Sequence, residues 1–221
     1  VLHPTQVGHF FFWNLKNEMA CDPPFIQRFA SILECFLTLC PSATEQLRAQ
    51  QQIVSELLRL AQSIQRSKST STDQQLDQQY RNGVLAINRD LLQRLPQGCL
   101  QLPLDPRWQA KVLIPAKCKI MSSKMAPLWL VFENADELGP PLYVIFKAGD
   151  DLRQDILTLQ ILRFMDEVWL KADLDLHLSP YNVIATGMTD DFKGCGFIQV
   201  VLNSQTTAGI QREFGGGASG A

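Results

Sequence analysis

The spacing of apolar residues changes character near Cys99, and that change limits the fold more than any other feature of the chain. Before it, apolar residues recur at helical steps. From Thr5 to about Cys40, Phe10, Trp13, Leu15, Phe25, Phe29, Ile32, Leu33, Phe36 and Leu37 follow at three- and four-residue intervals. Asp22-Pro23-Pro24 interrupts them. A helical pair is predicted, of the kind that ends a solenoid. A helix is predicted from Ser42 to Arg66, with Leu47, Ile53, Val54, Leu57, Leu58 and Leu60 inward and a Gln-rich face in solvent. Ser67 to Thr72 is a polar loop, and Asp73 to Leu95 a further helix ending before Pro96 and Gly98. After Cys99 the period approaches two. Short apolar runs stand at Val112–Ile114, Lys119–Met121, Leu128–Phe132, Leu142–Phe146, Val183–Thr186 and Phe197–Leu202, separated by Pro, Gly, Asn and Asp. One strong helix, Gln154 to Leu170, lies among them. The pattern defines an α+β chain.

Composition excludes several classes. The 221 residues carry 20 basic and 22 acidic side chains, a net charge of −2. No overall field draws such a chain to nucleic acid. The six cysteines, Cys21, Cys35, Cys40, Cys99, Cys118 and Cys195, form no close Cys-x-x-Cys pair and there is no paired histidine, so no metal site is expected. Reduced thiols in a cytoplasmic protein are the simplest account. No apolar run approaches the ~20 residues of a membrane span, and no signal peptide is visible. The chain opens on Val1, which reads as a fragment.

Lys147 closes the apolar run Leu142-Tyr143-Val144-Ile145-Phe146 and is followed by Ala148-Gly149-Asp150-Asp151-Leu152-Arg153-Gln154-Asp155. A cation at a strand tip, an acidic turn and a helix can together hold a nucleotide phosphate. The ammonium is a compact charge for a phosphate oxygen, and a nearby carboxylate keeps it charged. Gly149 can take positive φ at the turn, and Asp150 and Asp151 can accept from free N–H groups at the helix start. The same residues also suit an ordinary strand–turn–helix junction with a surface lysine.

Here the chain resembles the phosphoinositide 3-kinases. Ile145-Phe146-Lys147 with Gly149 to Asp155 is similar to their lysine strand and the turn after it, although Asp-Leu-Arg-Gln-Asp is shared with related large protein kinases. Lys119-Ile120-Met121-Ser122-Ser123-Lys124, then Pro127-Leu128-Trp129-Leu130, resembles the phosphate loop of the class I lipid kinases. Leu174-Asp175-Leu176 with Pro180-Tyr181, then Gly196-Phe197-Ile198-Gln199-Val200-Val201, resembles their inner strands and hinge. Gly8 to Trp13 with Leu15-Lys16 and Glu18-Met19 resembles the end of their helical domain.

The resemblance implies a helical-domain end over 1–41, a helical linker and kinase-domain start over 42–98, and a kinase small lobe over 99–221, a mostly antiparallel sheet with one packed helix. It implies ATP binding by Met121, Ser122, Ser123, Trp129, Ile145, Lys147, Asp155, Tyr181, Ile198, Gln199 and Val201. Met121 to Met125 would cover the phosphates. Lys147 would meet the α-phosphate region, supported by Asp155 and by the Tyr181 hydroxyl on Asp155. Trp129, Ile145 and Ile198 would line the adenine slot. The backbone of Gln199 and Val201 would bond the adenine edge; the family usually has an acid where Gln199 stands. A second basic residue common after the serines is replaced by Met125-Ala126. The loop is neither a protein-kinase glycine loop nor a Walker loop.

The implied parent reaction moves the ATP γ-phosphate to the 3-hydroxyl of an inositol phospholipid at a membrane surface, with Mg²⁺ and a regulatory subunit as further partners. The implied location is cytoplasmic with peripheral recruitment to membranes. No Asp-Arg-His-x-x-Asn loop or Asp-Phe-Gly follows the hinge in these 221 residues, so no catalytic or metal-binding residue is assigned and the chain alone is expected to be inactive. Thr189-Asp190-Asp191-Phe192-Lys193-Gly194 precedes the hinge and reads as a polar turn. Gly215 to Ala221 reads as a flexible loop cut before its next helix. Two other readings stay open. One is a non-catalytic scaffold contacting partners through His9 to Trp13. The other is the small lobe of a related protein kinase.

Overall fold

A computed structural model describes residues 3–21, 23–95, 98–188 and 193–214. Thr189 to Phe192 and Gly215 to Ala221 fall outside them, so the polar turn and the loop expected there are not described. Helix α1 (Val7–Cys21) passes through a 3-10 turn (Pro23–Phe25) into α2 (Ile26–Leu39). Helix α3 (Pro41–Ser67) starts with proline in its first turn, where a missing N–H costs nothing. Helix α4 (Asp73–Asp90) opens with a capping box. The Gln75 N–H donates to Thr72 Oγ1, and the Thr72 N–H donates to Gln75 Oε1.

The helical period identified these elements but misassigned some faces. Phe10, Phe25 and Ile32 are exposed, while Phe12, outside the predicted apolar set, is buried along with Trp13 and Phe36 from within it. The Gln-rich face of α3 is not wholly in solvent. Gln50 is completely buried and its Oε1 accepts the Trp13 Nε1–H at 2.9 Å.

The second half forms an antiparallel sheet in the order β1-β2-β4-β5-β7-β6, with β3 paired to β4. Its strands are β1 (Leu100–Leu102), β2 (Asp105–Leu113), β3 (Lys119–Ile120), β4 (Leu128–Asn134), β5 (Leu142–Ala148), β6 (Val183–Met188) and β7 (Gly194–Gln199). Strand β1 has only three residues, Leu-Gln-Leu, too short a run to stand out as a strand. Helix α5 (Arg153–Lys171) joins β5 to β6, and a short α6 (Thr207–Glu213), absent from the sequence reading, follows β7.

Strand β5 alternates as the pleat requires. Leu142, Val144, Phe146 and Ala148 are buried, whereas Tyr143, Ile145 and Lys147 are half-buried on the other face. The buried face joins Leu128, Leu130, Phe132 and Phe197 in a core shared with Ile53, Leu57, Ile64, Tyr80 and Val84 of α3 and α4. Polar side chains from these helices dock on strand backbone. Asn88 binds Leu113 twice, donating to its carbonyl and accepting from its N–H, each at 2.8 Å. The Tyr80 hydroxyl donates to Trp129 O at 3.0 Å, and burial raises its pKa.

Helix α5 packs more thinly than its apolar face suggests. Leu159 is its one buried residue among those described. Leu157, Ile161, Phe164, Met165, Val168 and Leu170 are exposed. No helix among the described residues is long and apolar enough to cross a membrane.

His9 supplies a pH test of the helix–sheet junction. Its ring is buried, and the Nε2–H donates to Pro103 O at 2.7 Å. Nδ1 has no partner among the described residues. Desolvation lowers the pKa below 6.5, outweighing the Pro103 bond and nearby Asp105, which raise it. The folded chain therefore holds neutral His9, while the unfolded chain takes up a proton as pH falls through ~6.5. Stability is full above that value and declines below it, by at most about 1.4 kcal/mol per pH unit for one group. Thermal melts between pH 7.5 and 5.5 should show falling stability, with a shallower slope in His9→Gln. An unchanged slope would remove His9 as the cause.

Candidate nucleotide site

The half-buried face of β4, β5 and β7 carries an apolar row. Trp129 stands opposite Ile145, and Ile145 opposite Ile198. Direct cross-strand partners share a face, so the three side chains expected around adenine are brought together. Lys119 pairs with Trp129, and its Nζ lies 5.1 Å from the indole centroid. Tyr143 crosses Trp129 edge-on at 6.3 Å between ring centroids.

Lys147 lies two residues beyond Ile145, on the same face and opposite Gly196. Its Nζ is 3.1 Å from Asp150 Oδ2. The ammonium thus pairs with Asp150, where the resemblance implied support from Asp155. Asp155 sits in the first turn of α5, and no bond among the described residues joins it to Lys147 or to the Tyr181 hydroxyl. The tight turn explains the difference. Gly149 has φ +94, and the N–H groups of Gly149 and Asp150 both donate to Gly194 O. The chain therefore curls back after β5 and brings the nearer carboxylate within reach. Asp151 accepts the Arg153 N–H and pairs with its guanidinium, which lowers the Asp151 pKa. The Tyr181 carbonyl accepts from Arg163 Nη2 at 2.9 Å.

The serine loop runs from Met121 to Ala126, where φ is +45. Met121 N–H donates to Pro127 O, and Ser123 N–H donates to Met121 O. That second bond occupies the Ser123 N–H, which is then not free for a phosphate oxygen. Ser122 and Ser123 are exposed, and their hydroxyls have no partner among the described residues. At the hinge, Gln199 N–H donates to Asn182 O at 2.8 Å, so its backbone can offer a ligand only its carbonyl. Its side chain accepts from Asn182 N–H at 2.9 Å. Val201, just past β7, is exposed.

This is an open sheet face. A cavity of about 580 Å³ lies elsewhere, between α1, β2, α5 and β6, and includes none of the expected ATP-binding residues. The open face fits a nucleotide by its chemistry. It has a flat apolar row, a cation at one end and two free hydroxyls on a neighbouring loop. No cluster of three or more His, Cys, Asp or Glu among the described residues converges as ligands do.

The fold and this face define a kinase-type small lobe: helices packed on an antiparallel sheet, with the lysine on an inner strand. Residues 141–219 match the family model Phosphatidylinositol 3- and 4-kinase. Nearly the whole chain is similar to longer proteins of that kind. It is 44% identical over 96% of its length to phosphatidylinositol 3-kinase 2 of Dictyostelium discoideum, and 42% over 98% to phosphatidylinositol 3-kinase 1 of the same organism. It is 33% identical over 95% of its length to the human phosphatidylinositol 4-phosphate 3-kinase C2 domain-containing subunit beta. The chain is thus a relative of the phosphatidylinositol 3-kinases, spanning 11% to 13% of the length of these proteins.

Proposed function

We propose that this chain supplies the ATP-binding small lobe of a phosphatidylinositol 3-kinase. The supporting observation is the shared face of Trp129, Ile145, Ile198 and Lys147, with Lys147 Nζ 3.1 Å from Asp150 Oδ2. The apolar row takes the base and the ammonium takes a phosphate oxygen. The Ser122 and Ser123 hydroxyls donate to the phosphate tail. The parent enzyme then passes the γ-phosphate to the 3-hydroxyl of an inositol phospholipid at a membrane surface.

Phosphoryl transfer also needs a group to position the attacking hydroxyl, and Mg²⁺ to neutralise developing charge. We assign neither to the residues of this chain, so it binds ATP without turning it over. The domain plan follows: 1–41 ends a helical domain, 42–98 leads into the kinase domain, and 99–221 forms the small lobe. The scaffold reading is weaker because its contact patch is mostly internal. His9, Phe12 and Trp13 are buried.

Displacement of fluorescent trinitrophenyl-ATP by ATP tests the binding reading on the folded chain. Radiolabelled ATP with phosphatidylinositol vesicles tests turnover. Saturable displacement without labelled lipid is expected. A folded chain with no affinity for ATP would refute the binding reading, and labelled lipid would refute the claim of inactivity.

A further inference from the structure

Gln65 lies near the end of α3, far in sequence from the serine loop and the lysine strand. Its Nε2 donates to Met125 O at 2.8 Å and to Ala148 O at 2.9 Å. These carbonyls belong to two different segments. Met125 is in the serine loop, and Ala148 directly follows Lys147 at the end of β5. A neutral carboxamide carries two N–H donors on one nitrogen, which is what bridging two carbonyls requires. Just beyond the helix, Lys68 donates to Ser123 O, giving the loop a second tie to the same helix end.

The two bridged segments are already in close contact. A Cβ added at Gly149 would lie 2.3 Å from Met125 Cε. Both turn through left-handed backbone, at Ala126 (φ +45) and Gly149 (φ +94). Ala126 has a side chain to accommodate in that conformation; its own N–H bonds Ser123 O at 3.1 Å, and contacts from outside the loop add to that hold. Gln65 and Lys68 provide such contacts from a rigid helix.

We propose that Gln65 is a positioning residue for the nucleotide site: its amide sets the spacing between the serine loop and Lys147, and so the fit to a phosphate tail. This rests on the nucleotide reading above. The base binds the apolar row on the other side of Lys147, so the phosphates alone should register a loosened bridge.

The test uses Gln65→Leu, Gln65→Glu and Gln65→Lys in the full 221-residue chain. ATP and adenosine affinities are measured by competition with trinitrophenyl-ATP. Amide hydrogen exchange is followed over 121–126 and 148–150. Gln65→Glu keeps the shape but sets a carboxylate against two carbonyls; Gln65→Lys restores donors. With each lost hydrogen bond contributing a few-fold, Leu and Glu should weaken ATP about tenfold, with adenosine within about twofold. Exchange in both segments should quicken, and Gln65→Lys should recover most of the ATP affinity. The proposal is overturned if a folded Gln65→Leu binds ATP like the wild type. It is equally overturned if ATP and adenosine weaken together, which marks a purely structural role. A wild-type chain that binds no ATP refutes the nucleotide reading itself, whatever the variants do.

Discussion

Lys147→Met should weaken ATP binding by about 10- to 100-fold, the range of a lost charge-assisted hydrogen bond. Its melting temperature should stay within about 3 °C of the wild type, because the lysine's one ion pair is partly exposed and such pairs contribute at most about 1 kcal/mol. The two expectations separate function from folding. Ile145 and Phe146 keep their places in β5 whichever residue follows, and methionine retains the apolar stem of lysine. Adenosine should bind the variant nearly as well as the wild type, since it has no phosphate to meet the ammonium. The partner carboxylate can be assigned in the same experiment. Asp150 lies 3.1 Å from Nζ, so Asp150→Asn should weaken ATP binding by a few-fold. Asp155→Asn should do less, because Asp155 makes no bond to the lysine among the described residues. An Asp155→Asn effect larger than that of Asp150→Asn would show that ATP draws Lys147 to the other acid. Unchanged ATP affinity in Lys147→Met would remove the lysine from the site and leave the apolar row with no phosphate partner.

Much of this site was legible in the chain because it lies on regular strands. The resemblance named Ile145 and Lys147 together, and the pleat of β5 sets both on one face. Gly149 was marked as a turn residue, and its φ is +94. The finer geometry was not legible, because it depends on how far the turn curls. Asp150 and Asp155 are both acids close after Lys147, and sequence spacing does not choose between them. The two hydrogen bonds from Gly149 and Asp150 N–H to Gly194 O make that choice, and they join segments more than 40 residues apart.

The glutamines of α3 show a different limit. Polar residues at helical spacing ordinarily mark a solvated face. Gln50 and Gln65 break that rule by docking on Trp13 and on one loop and one strand carbonyl. A side chain that satisfies buried backbone looks, in sequence, like one that faces water. The exposed apolar face of α5 is the converse case. Its apolar residues recur at helical steps, yet among the described residues of α5 only Leu159 is buried. Periodicity reports which residues share a face; what covers that face comes from tertiary structure.

Gly196→Ala should destabilise the chain more than any loss of surface charge, by about 3 kcal/mol or more, lowering the melting temperature by roughly 10 °C. Gly196 lies on β7 between its partners Lys147 of β5 and Ala185 of β6. An added Cβ would sit 2.0 Å from Ile184 O, 2.9 Å from Leu152 Cδ1 and 3.0 Å from Ala185 Cα. Two of these obstacles are backbone, and β6 cannot retreat without breaking its ladder with β7. Gly83→Ala is the informative comparison. Its Cβ would also meet a close atom, Leu60 Cδ1 at 2.4 Å, but that atom ends a flexible side chain. Gly83 also sits inside α4, where alanine gains about 1 kcal/mol of helix propensity, so that variant should melt within about 3 °C of the wild type. The site should follow the sheet. With β6 displaced, β7 shifts against β5, and Ile198 and Lys147 lose their common register, so Gly196→Ala should weaken adenosine and ATP together. That pattern differs from the selective ATP losses expected at Lys147 and Gln65. If Gly196→Ala instead melts and binds like the wild type, the β6–β7 pairing is looser than drawn, and the apolar row does not depend on it.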